Sequence, residues 1–165
     1  MNEMKSINDE SINVHEDYNK IGGWLILVIV GYIITIFSAV KTVVKGYNLY
    51  LDGTMPKLID SKSEYYNPFV YNLTNFDLVI KVVLVIAVIL AILFMFSKKS
   101  FYPRYAIGLI VAVNIINLSR ILYLNYNGIA VSSENIIRVI GSFCRAGVWI
   151  TYFIKSKRVK YTFIK

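Results

Sequence analysis

Polarity along this chain changes in long blocks rather than at every second or fourth residue. The stretch "IGGWLILVIVGYIITIFSAV", residues 21–40, carries no charge at all. Wound into a helix at 1.5 Å per residue it reaches about 30 Å, the thickness of a bilayer's hydrocarbon core. Three further apolar blocks follow. The second, 76–96, opens with Asp77 and Lys81 and continues as "VVLVIAVILAILFMF". The third, 105–124, has a shorter uncharged core between Arg104 and Arg120, and the fourth, 135–154, contains Arg138 and Arg145. The expected fold is therefore all-α: an integral membrane bundle of four transmembrane helices. A secretory leader would place a short apolar centre behind a basic front. Here Glu3, Asp9, Glu10, Glu16 and Asp17 precede the first block, so a retained helix is expected.

Composition agrees with that pattern. Of the 165 residues, 56% are hydrophobic, well above the share in an ordinary soluble domain. The chain holds 18 Lys and Arg against 10 Asp and Glu, a formal net charge of +8. On a soluble fold this excess would suggest nucleic acid, but no basic face of that kind is present and no nucleic-acid partner is expected. Most of the cations stand just outside the apolar blocks, where they set orientation and meet lipid headgroups.

"SKKSFYPR" between the second and third spans holds Lys98, Lys99 and Arg104 and no acid. The closing "KSKRVKYTFIK" is equally free of acids. Positive flanks are retained on the cytoplasmic side, which makes the expected topology N-in/C-in. The division that follows is a polar cytoplasmic N-terminal tail (1–20), a membrane domain (21–154) with an outer loop (41–75), and a basic cytoplasmic C-terminal tail (155–165). Lys155, Lys157, Arg158 and Lys160 are the expected headgroup contacts, with Tyr152, Phe153, Tyr161 and Phe163 as interfacial anchors.

Polar side chains facing lipid are costly, so polar positions mark helix faces turned inward. Gly31, Thr35, Ser38 and Thr42 share one face of the first span, Ala87 and Ala91 one of the second, and Gly141 and Ser142 accompany Arg138 and Arg145 in the fourth. Such small residues allow close helix packing. Arg145 stands ten residues beyond Asn135, about 15 Å along the helix. Asn114 and Asn117, three apart in the third span, are the expected intramembrane acceptors for it. A second cluster, Asp77, Lys81, Arg120, Glu134 and Arg138, is expected at the outer edge. No acid lies in the central part of any span, which disfavours a proton-coupled carrier and leaves two readings of Arg145: a structural Arg–Asn network, or an anion-binding group.

Enzyme chemistry finds no support in the residue pattern. The one histidine, His15, is in the polar tail, and the one cysteine, Cys144, is in an apolar block. With no paired base, glycine-rich phosphate loop or metal-spaced cluster, no catalytic residue, metal ligand or cofactor is expected.

Four segments at span boundaries carry a family likeness: "IGGWLIL", "YNPFVYNLTNFDL", "FYPRYAI" and "VWITYFIKSKRVKYTFIK". With these in this order the chain resembles the DUF2569 family. Two positions depart from the family's pattern: Thr151 stands where Pro is expected and Asp77 where Glu is expected. The resemblance implies a small multi-pass protein of the bacterial inner membrane whose biochemical function is unknown. The expectation is a non-enzymatic structural or accessory membrane component in contact with anionic lipid, alone, as a homo-oligomer or with another membrane protein. The alternative is an oligomeric carrier or channel for a small anionic solute that uses Arg145.

Overall fold

The computed structural model describes residues 22–163. The N-terminal tail expected at 1–20 lies outside them, as does Lys165. Among the described residues the fold is all-helical. Four long helices are α1 (Trp24–Leu51), α3 (Pro68–Phe96), α4 (Tyr102–Tyr126) and α5 (Ser133–Lys155); two short ones are α2 (Thr54–Ile59) and α6 (Lys157–Phe163). Each long helix is long and apolar enough to cross a membrane. Their most apolar stretches are only 6% to 17% buried, so the rest must face a solvent in which leucine and isoleucine are at ease. Ile33, Ile34 and Phe37 on α1 and Val79, Val83 and Ile86 on α3 are exposed in this way.

The chain divides into two compact units, residues 22–93 and residues 94–163. In the first, α1 runs on from Val40 to Leu51, through what the polarity pattern takes as loop. Lys41 and Lys45 interrupt the apolar block, but a charge does not break a helix. The break comes at Asp52-Gly53, where Gly53 adopts φ 76° and its N–H bonds the Tyr50 carbonyl. The Asp52 carboxylate then accepts the Thr54 N–H at 2.9 Å and opens α2. Helix α3 likewise starts well before residue 76. Asn67 Oδ1 accepts the Val70 N–H at 3.1 Å and Pro68 occupies the first helical position, a pairing that fits a helix start on both counts.

Packing within this unit departs from the expected small-residue face. Thr35 donates its hydroxyl to the Gly31 carbonyl at 2.8 Å and Thr42 to that of Ser38 at 3.0 Å, so both bond back into their own helix. Gly31 has open space around it. The close approach occurs at buried Gly46, where a methyl group would collide with the side chain of Leu78 on α3. One turn further, the Tyr50 hydroxyl donates to Asn75 Oδ1 and ties the same two helices.

The second unit is built on the antiparallel pair α4 and α5. Helices α3 and α4 both end in the same backbone motif, in which the residue after the cap turns left-handed and two N–H groups recover terminal carbonyls. After α4 that residue is Gly128 at φ 73°, with Ile129 N–H on the Leu124 carbonyl. After α3 it is Lys98 at φ 47°, with Lys99 N–H on the Phe94 carbonyl. A side chain in that conformation costs about 1–2 kcal/mol, which only a well-held turn sustains.

The residues expected to trail as a basic tail form α6 instead. Its apolar side, Val159, Thr162 and Phe163, is buried. Phe163 stacks on Tyr102 at the start of α4, with ring centroids 4.7 Å apart, and Tyr102 also meets Phe153 at the end of α5 at 6.0 Å. Phe94 closes the same end edge-on against Phe101 at 4.7 Å and Tyr105 at 5.3 Å.

Candidate functional site

Two polar features of the second unit are built well enough to bear on function: a buried amide–hydroxyl link in mid-span, and a rim of cations at one end.

Asn114 is twelve residues from either end of α4 and is buried. Its Nδ2 donates to the Ile110 carbonyl at 2.8 Å, within its own helix. Its Oδ1 accepts the Ser142 hydroxyl at 2.8 Å, and the same hydroxyl lies 2.8 Å from the Val139 carbonyl. Ser142 on α5 is thus the residue that answers Asn114; among the described residues no hydrogen bond joins Asn114 or Asn117 to Arg145. Asn117, one turn on, is half-buried.

Arg145 takes a different direction. Its neighbour Ala146 is buried in the second unit, and one residue is about 100° around a helix, so Arg145 points away from that face. The side chain is exposed and folds back along α5, its Nη1 lying 3.5 Å from where a Cβ on Gly141 would be. Helical side chains tilt toward the N-terminus, and a glycine one turn back leaves the guanidinium room to lie down. A cation at bilayer mid-depth costs about 2.5–3.5 kcal/mol even on lenient scales.

Of the expected outer-edge cluster, Asp77 and Lys81 belong to the first unit and Arg120, Glu134 and Arg138 to the second. Glu134 and Arg138 pair across one turn of α5 at 3.5 Å, with side chains 80% and 75% exposed, so the bond contributes little. Arg120 is exposed on α4. Asp77 and Lys81 are half-buried on α3 in the first unit.

The cation rim was only half legible. Lys98 and Lys99 precede α4, Arg104 lies in its first turn, Lys155 ends α5, and Lys157, Arg158 and Lys160 belong to α6. The Tyr102–Phe153–Phe163 contacts bring these segments to one end of the unit. All are exposed except Arg158, which is half-buried. Among the described residues 94–163 the only acid is Glu134, at the opposite end of α5. Phe153 and Phe163, expected to anchor in headgroups, are spent on this protein contact; Tyr161 alone of the two tail aromatics at 161 and 163 is exposed. What sequence reading missed was Tyr102 as their receptor. The signal was an aromatic directly before Pro103, where a helix start fixes its direction.

Comparison with known proteins adds a family. The family model described as "Protein of unknown function (DUF2569)" matches residues 18–164. No curated protein matches the chain, and neither does any solved structure.

Proposed function

The chain belongs to the DUF2569 family, and from that premise we propose that it is a non-enzymatic accessory component of the bacterial inner membrane, oriented N-in/C-in, whose basic rim holds anionic lipid headgroups. One observation carries this reading. Two acid-free basic segments more than fifty residues apart in the chain converge on a single end of the second unit, most of their charges turned outward while Tyr102 and Phe163 turn in against each other. Cationic rims of this kind face the cytoplasm, where they meet the anionic leaflet and resist translocation. Each cation near such a surface contributes about 1 kcal/mol of attraction, so a rim of several makes a lasting lipid contact.

Docking of α6 sharpens the point. A tail that inserted its aromatics into lipid would hold its lysines loosely. A helix fixed through Val159, Thr162 and Phe163 presents Lys157 and Lys160 at set positions. The test is the variant with Lys157, Arg158 and Lys160 all changed to Gln, extracted in mild detergent and analysed for retained lipid by native mass spectrometry. Anionic lipid should fall severalfold relative to zwitterionic lipid. Equal retention by both proteins would refute the lipid role.

A further inference from the structure

Arg145 is a charge without a counterpart. Counted along α5 from Lys155, it lies ten residues deep, about 15 Å, half the thickness of the hydrocarbon core. Turning back to Gly141 does not bring it to water, since Gly141 is still eight residues from the start of α5, about 12 Å. Among the described residues it forms no hydrogen bond or ion pair, and it is exposed. Among the described residues no carboxylate lies in the central part of any long helix. Counted back from Phe96, Asp77 lies nineteen residues along α3, about 28 Å, and Glu134 stands in the first turn of α5, eleven residues or about 16 Å from Arg145. A second copy brings the same described residues and so the same lack among them.

We infer that the α5 face around Arg145 docks a transmembrane helix of another protein, one that carries an Asp or Glu at mid-depth. The occupant follows from charge: a guanidinium is permanently protonated, and a carboxylate in hydrocarbon is its one proteinaceous complement. The surface suits a helix. Gly141 and Val148 flank Arg145 on the same side of α5, one turn to either end, and neither projects far from the backbone. A second copy is the poorer occupant because it would set Arg145 against Arg145. A small anion is poorer too, since beside an exposed Arg145 it would meet hydrocarbon on its other sides.

This inference rests on the reading of the chain as an accessory membrane component. The deciding experiment places a photo-cross-linking amino acid at Val148, exposed on that face, in the full chain in its native membrane. The expected adduct contains a membrane protein with a carboxylate in mid-span. Arg145→Leu should lower its yield per molecule of inserted chain about tenfold, and Arg145→Lys should keep most of it. If Arg145→Leu reduces abundance, the reciprocal exchange decides: Arg145→Glu with the partner's acid changed to Arg should restore the adduct. An adduct with lipid only, with a second copy, with a partner lacking a mid-span acid, or none at all overturns the inference, as does a yield indifferent to Arg145→Leu. Equal anionic-lipid retention by the rim variant would overturn the proposed lipid role without touching these outcomes.

Discussion

Ser142 and Asn114 show how a single atom decides which helix faces meet. The two residues lie on chain segments twenty-eight positions apart, and their bond of 2.8 Å is the polar link across α4 and α5. Hydrogen bonds between membrane helices contribute about 0.6 kcal/mol on average and up to about 1.7 kcal/mol. Ser142→Ala should therefore lower stability by about 1 kcal/mol, and Asn114→Leu by somewhat more, because it also removes the bond to Ile110. A double-mutant cycle of unfolding in mixed micelles should return a coupling near 0.6 kcal/mol; a coupling of zero would mean the bond does not form in the membrane. At the far end of the first unit, the Thr54 hydroxyl and N–H hold the Asp52 carboxyl below its ordinary pKa, with Lys57 assisting. A group depressed on folding stabilises the native state above the usual carboxylate range of about 4, and that contribution is lost as pH falls through the depressed value. Protection of the Thr54 amide from hydrogen exchange should therefore weaken as pH drops below about 4, and Asp52→Asn should remove the pH dependence.

Helices α1, α3 and α6 illustrate what polarity blocks do and do not reveal about elements. An apolar block ends where lipid ends, whereas a helix ends where its backbone is stopped. Lys41 and Lys45 mark the first boundary and Asp52-Gly53 the second, so α1 outruns its block by about three turns. Asn67-Pro68 is a stronger start signal for α3 than the first purely apolar residue. The last segment differs from its polarity block for another reason. Seven residues are too few to hold a helix alone, so α6 exists only because Phe163 finds Tyr102. Truncating a buried Phe to Ala costs about 3–5 kcal/mol, more than α6 can have in reserve. Phe163→Ala should make residues 156–163 sensitive to trypsin, whose sites there include Lys157 and Lys160, while exposed Tyr161→Ala should leave resistance unchanged. Equal cleavage of both variants would show that α6 is not held by this ring.

Charge asymmetry governs the molecule as a whole. The second unit carries seven of its ten described Lys and Arg at one end, while Arg120 and Arg138 lie with its one described acid toward the other, and on this excess the proposed orientation rests. A fluorescent-protein fusion after Lys165 should be bright, and a phosphatase fusion there inactive, because both report a cytoplasmic end. Adding four lysines around Asn127-Gly128 should shift part of the population to the inverted orientation, measured by the same pair of reporters. A phosphatase active on the unaltered C-terminus would reverse the orientation proposed above.

The order of apolar and polar blocks by itself decided the all-helical class and the number of long apolar segments, because solvent choice is made segment by segment from local residue content; the family resemblance came from four motifs at span boundaries. Arg145 was visible for the same reason: a cation in mid-span stands out in a segment that is mostly apolar. What tertiary structure decided was the company each residue keeps. Ser142 rather than Arg145 meets Asn114, Gly46 rather than Gly31 brings two helices close, and Phe163 lies on Tyr102 rather than in lipid. Those pairings depend on rotation about helix axes and on fit between side chains far apart in sequence, and in hydrocarbon no hydrophobic term distinguishes one apolar face from another.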